Sequence, residues 1–278
     1  MTRAPISVFG SLSERMNRRQ VLAGLGCSAL VGCAGVASLP EPSGERVAFD
    51  APGLSIRGRY HPPSGSRHPV RLWVVIEGDG AAWTGGRPPD DPTPRRPVGP
   101  SVVSGLPRDD ARLWLGRPCQ YLPEQTLARC ERLHWTTGRF SVPVMAAYQG
   151  LINRYADRMQ VMLIGYSGGG LIASELALTR VDAVGLVTLA APLDLEAWTA
   201  FHGVPPLEGP RSPERLLSGL AQLSIPALYL FGARDTVVPP AVLGRVRDAL
   251  GDRVEVLATG RHQSDWADIL SRRVDRLI

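Results

Sequence analysis

The chain contains no lysine; all 31 of its basic residues are arginine. That absence excludes a Schiff-base lysine, a phosphate-loop lysine and a serine–lysine dyad. No internal repeat is visible, and no basic stripe interleaved with aromatics is present, which argues against nucleic-acid binding. The formal net charge of +5 is less basic than it looks. Arg3, Arg15, Arg18 and Arg19 stand against only Glu14 in residues 1–32, so the remainder carries about +2. Cysteine is scarce, at four in 278 residues. The length and the 44% hydrophobic content suit a leader followed by one large α/β domain.

Residues 1–33 read as an export signal. Asn17-Arg18-Arg19-Gln20-Val21-Leu22 precedes a short apolar segment, Val21 to Val31, broken by Gly24 and Gly26. A positive flank, a short apolar stretch and small residues make a signal peptide, and the stretch is too short to span a bilayer. The arginine pair followed by x-Val-Leu resembles a twin-arginine export signal. Leu30-Val31-Gly32-Cys33 resembles a bacterial lipobox, in which Cys33 would carry lipid; cleavage after Ala37 is the alternative. Cys27 is the poorer lipobox candidate, because Gly24 stands where leucine is wanted. By resemblance to such lipoproteins, Gly35 rather than aspartate two residues past Cys33 implies the outer membrane, facing the periplasm. Residues 34–45 would form a flexible tether, and 46–278 the folded domain. Cys119 and Cys130 then remain as an even pair in an exported chain, which suggests a disulfide; two free buried thiols are the alternative.

The domain reads as eight core strands alternating with helices. The strands are expected at 46–49, 54–60, 71–76, 111–115, 161–165, 184–189, 226–231 and 254–257. Residues 84–108 hold seven prolines and are expected to be loop, with at most a short helix from about Pro100. Phe140–Tyr155 has helical periodicity, with Val144, Ala147, Tyr148, Leu151 and Ile152 on one face. Further helices are expected at 240–250 and 264–277. Continuous apolar strands separated by helices imply a mostly parallel sheet covered on both faces.

Gly165-Tyr166-Ser167-Gly168-Gly169 follows the apolar run Val161-Met162-Leu163-Ile164 and precedes the helical stretch Leu171–Leu178. Strand, sharp glycine turn and helix form the setting of a G-x-S-x-G nucleophile elbow, which exposes Ser167 above the sheet edge. The helix behind it offers free N–H groups and a positive dipole end to a developing oxyanion. The rival pattern, Gly168-x-Gly170-x-x-Ala173, fits a dinucleotide fingerprint. It lies late in the chain, and only Asp194 approximates the acid such a site needs. A serine nucleophile needs a base, and the base an orienting acid. Asp235 follows the strand 226–231, and His262 follows the last strand. Both therefore sit at strand carboxyl ends, where open α/β sheets build their sites. Asp194 is the runner-up acid. His61, His68 and His134 precede the elbow, and His202 follows the wrong strand. The oxyanion donors are expected to be the N–H groups of Gly168 and Asp79, with Gly80 as fallback for the second. A carboxylate at Asp79 is unexpected beside an oxyanion, so its side chain is expected to point away, toward a helix cap.

Over about residues 45–278 the chain resembles the α/β-hydrolase superfamily. The resemblance rests on Gly165-x-Ser167-x-Gly169, Gly232-x-x-Asp235-x-x-Val238-Pro239 and Gly260-x-His262. The segments Ile76–Trp83, Arg117-Pro118-Cys119-Gln120-Tyr121 and Trp135-Thr136-x-x-Arg139-Phe140 further resemble a branch of bacterial hydrolases without an assigned substrate. The resemblance implies hydrolysis of a small-molecule acyl ester through an acyl-enzyme, with no metal and no cofactor. A peptidase or thioesterase on the same residues, and a non-catalytic envelope binding lipoprotein, are the competing readings. No large cap domain is expected. The interval after the fourth parallel strand, Ala191 to Ile225, carries Pro192, Pro205, Pro206, Pro210 and Pro213, which limit continuous helix.

Overall fold

The structure, a computed structural model, describes residues 43–65, 70–82, 87–207, 209 and 211–274. The leader, Cys27, Cys33 and residues 34–42 of the tether lie outside the described residues, as do His68 and Trp83. At the end of the tether, Glu45 already belongs to the sheet, paired with Tyr60.

The strands are β1 (Glu45–Ala51), β2 (Leu54–His61), β3 (Arg71–Ile76), β4 (Ala111–Leu115), β5 (Gln160–Tyr166), β6 (Ala183–Leu189), β7 (Ala227–Gly232) and β8 (Val254–Leu257). The helices are α1 (Gly99–Ser104), α2 (Glu124–Leu127), α3 (Val142–Ala156), α4 (Gly168–Ala177), α5 (Leu195–His202), α6 (Pro213–Ala221), α7 (Gly244–Leu250) and α8 (Trp266–Ser271). One eight-stranded sheet runs in the order β1-β2-β4-β3-β5-β6-β7-β8. Only β1–β2 and β2–β4 are antiparallel. The remaining pairs are parallel, so the carboxyl ends of β3 and β5 to β8 share one edge.

Alternation along each strand feeds two cores. Leu72, Val74 and Ile76 pack into one, whereas Trp73 and Val75 pack into the other. This is the two-residue period of a strand buried on both faces, and it explains why these segments read as unbroken apolar runs. Helices α3, α4, α6 and α7 cover the first face, and α1 and α8 the second. The expected face of α3 is the buried one, with Val144, Ala147, Tyr148, Leu151 and Ile152 all inside. The expected helix over 240–250 is a 3-10 turn at Pro240–Val242 followed by α7.

Between β6 and β7 the described residues supply α5 and α6 and no large cap. Each helix start is set locally: Asp194 caps α5 by accepting from the Ala197 N–H, and Ser212 caps α6 ahead of Pro213. Gly203, at φ 60°, ends α5.

Cys119 and Cys130 are joined by a disulfide. It closes a short loop, 11 residues apart in sequence, which spans α2. Replacing both cysteines by serine is expected to lower stability by roughly 2–3 kcal/mol in the chain-entropy account. Denaturant unfolding of the double variant checks this. Unchanged stability, or two titratable thiols in native protein isolated from an oxidising compartment, would contradict it.

Candidate active site

Ser167 stands between β5 and α4 with φ 50° and ψ −125°. A positive φ is costly for a residue with a Cβ, and this ψ lies outside the left-handed helical basin. The surroundings enforce the turn. A Cβ on Gly165 would meet the Gly169 carbonyl oxygen at 2.2 Å, so only glycine lets strand and helix close this tightly. The Ser167 N–H is held by the Leu189 carbonyl at 2.8 Å. The result lifts Oγ away from the backbone at the carboxyl edge of the sheet.

Two other strand ends complete the constellation. His262 Nε2 lies 3.1 Å from Ser167 Oγ, and its Nδ1 lies 2.9 Å from Asp235 Oδ2. Asp235 is fixed through its other oxygen, which accepts from the N–H groups of Val237 (2.7 Å) and Val238 (2.8 Å). That local turn explains the spacing of Asp235 and Val238. The histidine loop is anchored by Trp266 Nε1, which donates to the His262 carbonyl at 2.8 Å. Arg234 N–H donates to the Gly260 carbonyl, tying the two loops together. The arrangement can pass the serine proton to an imidazole whose cation the carboxylate stabilises.

Asp194, the other acid candidate, does not contact His262. Its carboxylate caps α5 and pairs with Arg245 at 2.6 Å. His134 and His202 also serve elsewhere; His202 Nε2 lies 2.8 Å from the Val237 carbonyl.

Contrary to expectation, the Asp79 side chain does not cap a helix; Arg117 and Arg139 are its partners. Glu77 is the residue that caps one. It is 1% exposed, and its carboxylate accepts from the N–H groups of Gly78 (3.0 Å), Val98 (3.2 Å) and Gly99 (2.8 Å) at the start of α1. Burial pushes its carboxyl above the ordinary range despite these donors. Asp79 instead lies against the start of α4: a Cβ on Gly168 would meet Asp79 Oδ1 at 2.0 Å. The carboxylate is held there by Arg117 Nε at 3.0 Å and Arg139 Nε at 2.7 Å. Burial works against its charge, but Arg139 and Arg117 outweigh it and hold the Asp79 carboxyl below the usual range. Its charge is thus spent on two guanidinium groups.

The same two arginines brace the loop that follows β3. Arg117 Nη2 donates to the Arg139 carbonyl at 2.8 Å, and Arg117 packs over the Phe140 ring at 5.1 Å. Gln120 Nε2 donates to the Gly78 carbonyl at 3.1 Å. The segments around Arg117 and Arg139 therefore clamp residues 77–80. Their recurrence as a resemblance was the only sequence signal, since the partners are 38 or more positions from Asp79.

Ser167 and His262 open into a cavity of about 700 Å³ walled by Trp198, Val238, Pro94 and Tyr166. A smaller, mainly apolar pocket of about 290 Å³ adjoins it across Trp198, Val237 and Arg139 and is lined by Leu207 and Pro205. Trp198 lines both spaces, Leu207 only the smaller one, and Phe201, 54% exposed, lines neither. Pro94 and Arg96 bring the proline-rich segment to the opposite rim.

No protein-family model and no curated protein matches the chain. Among solved structures it is similar to an alpha-beta serine hydrolase homologue from Coxiella burnetii (13% identity, TM-score 0.52, 83% of this chain and 94% of that one). It is similar to Est1E from Butyrivibrio proteoclasticus (14% identity, TM-score 0.57, covering 84% and 96%). It is also similar to the acylaminoacyl peptidase of Pyrococcus horikoshii (11% identity, TM-score 0.60), spanning 85% of this chain but only 41% of that one. Strand order, the crossing at the elbow and these likenesses agree: the chain has the α/β-hydrolase fold.

Proposed function

We propose that the chain is a serine hydrolase that cleaves carboxylic esters through an acyl-enzyme. The observation that carries this reading is the unbroken relay of Ser167, His262 and Asp235, at 3.1 Å and 2.9 Å, whose Ser167 and His262 line the cavity of about 700 Å³. Ser167 Oγ attacks the ester carbonyl carbon while His262 Nε2 takes its proton. The tetrahedral oxyanion lies against the N–H groups of Gly168 and Asp79. Such donors typically contribute roughly 3–4 kcal/mol each to the transition state. Collapse expels the alcohol, which receives the proton from His262, and the acyl group stays on Ser167. Water, deprotonated by the same imidazole, then releases the acid and restores Ser167. No step calls for a metal or cofactor.

A peptidase or thioesterase on the same residues is the second reading, supported by the likeness to an acylaminoacyl peptidase. A non-catalytic binding role is opposed by the assembled relay. An ester, a thioester and an anilide of one acyl group separate these, with the ester expected to turn over fastest. Within p-nitrophenyl esters, short acyl chains are expected to be preferred, without a rise in rate at the micellar concentration. The uncapped cavity and its small apolar branch support that expectation. A faster anilide would install the peptidase reading, and a jump at the micellar threshold would indicate a lidded lipase.

We also propose attachment to the cell envelope through lipid on Cys33, facing the periplasm. The disulfide of the folded domain suits an oxidising compartment. Cys33→Ala is expected to move the protein from the membrane fraction to the soluble periplasm. A mature amino terminus at Ser38 without lipid would refute it.

A further inference from the structure

We propose that the substrate of this site carries an anionic group, a carboxylate or phosphate, beside its scissile ester. The inference rests on the hydrolase reading above and names the substrate class. Three loops each place an arginine on the cavity wall: Arg96 after β3, Arg234 after β7 and Arg261 after β8. Arg234 and Arg261 are the immediate chain neighbours of Asp235 and His262, and both line the cavity that Ser167 and His262 share. All three are exposed, and none forms an ion pair among the described residues. Several other arginines of this chain pair with acids, as Arg132 does with Asp90, Arg180 with Asp182 and Arg245 with Asp194.

No acid on the cavity wall answers them. The wall's two carboxylates are Glu77 and Asp79. The first is buried on three N–H groups, and the second is held by Arg117 and Arg139. The chain outside its leader is nearly neutral, so this positive rim is a local concentration rather than a general surplus. A concave site lined by one sign of charge focuses its field and raises the local concentration of the opposite ion. Guanidinium is also the side chain whose planar fork fits carboxylate and phosphate oxygens. The apolar branch beside Trp198 takes the uncharged part of the molecule.

The test uses acetyl esters that differ only in the charge of the leaving group: 4-acetoxybenzoate, 4-acetoxyphenyl phosphate and neutral 4-acetoxybenzamide. The wild-type chain is expected to prefer an anionic ester by about tenfold in kcat/KM, the scale of a few solvent-exposed ion pairs. That preference should shrink with added salt and approach unity in Arg96→Gln/Arg234→Gln/Arg261→Gln. Comparison of the two anionic esters shows whether carboxylate or phosphate is favoured. A second arm measures calorimetric binding of 4-acetoxybenzoate and 4-acetoxybenzamide to the Ser167→Ala variant, where no turnover is needed. Tighter binding of the benzoate, lost in the triple substitution, supports the proposal even if every ester survives, an outcome that sinks only the hydrolase reading. Equal binding of the two, or a preference indifferent to the three arginines, overturns the anionic substrate.

Discussion

Ser167→Ala is expected to lower ester hydrolysis by about 10⁴-fold or more, on the order of 5 kcal/mol of transition-state stabilisation, while the fold stays intact. The serine hydroxyl has His262 Nε2 as its hydrogen-bond partner, so no structural contact is lost with it. Alanine keeps the Cβ and inherits the same backbone, which is set by the glycine turn and by the bond from the Ser167 N–H to Leu189. Steady-state kinetics beside an unfolding midpoint separate the two effects. A variant within tenfold of the wild-type rate would remove Ser167 from the reaction, and a collapsed midpoint would make its role structural.

Asp235→Asn is expected to cost about 10⁴-fold in kcat, by analogy with other serine triads that lose their acid. Asp235 is 3% exposed and directs one oxygen to the Val237 and Val238 N–H groups and the other to His262. An amide in that position presents an N–H to the imidazole and favours the tautomer that cannot accept the serine proton. Asp194→Asn is the informative contrast. Its carboxylate meets Arg245 and the start of α5, so the loss should fall on stability, by roughly 1–3 kcal/mol. Activity per folded molecule should stay near wild type. If the Asp194 variant is instead the inactive one, the acid lies on the other strand.

The residues that act through position along the chain were legible in the sequence. Arg71–Ile76, Ala111–Leu115 and Val254–Leu257 match their expected spans end to end; in the first, burial on both faces leaves a continuous apolar run from Leu72 to Ile76, whereas the last is a half-buried edge strand that carries Glu255. Ser167, Asp235 and His262 could be placed because each follows such a strand at the sheet's carboxyl edge. What escaped were contacts between distant segments. Glu77 caps a helix that starts 22 positions later, and Asp79 is neutralised by arginines from two further segments. Neither has a local signature, so a carboxylate beside an oxyanion looked like a misfit until its partners were in place. Helix ends were also blurred: residues 264–277 read as one helix, but Asp265 caps α8 and its last residue is Ser271.

The most direct measurement is fluorophosphonate labelling of the folded chain followed by peptide mass spectrometry. The expected result is a single adduct on Ser167, absent after Ser167→Ala and after denaturation. Unlabelled native protein, or label on another residue that persists in Ser167→Ala, would contradict the assignment of Ser167 as an activated nucleophile.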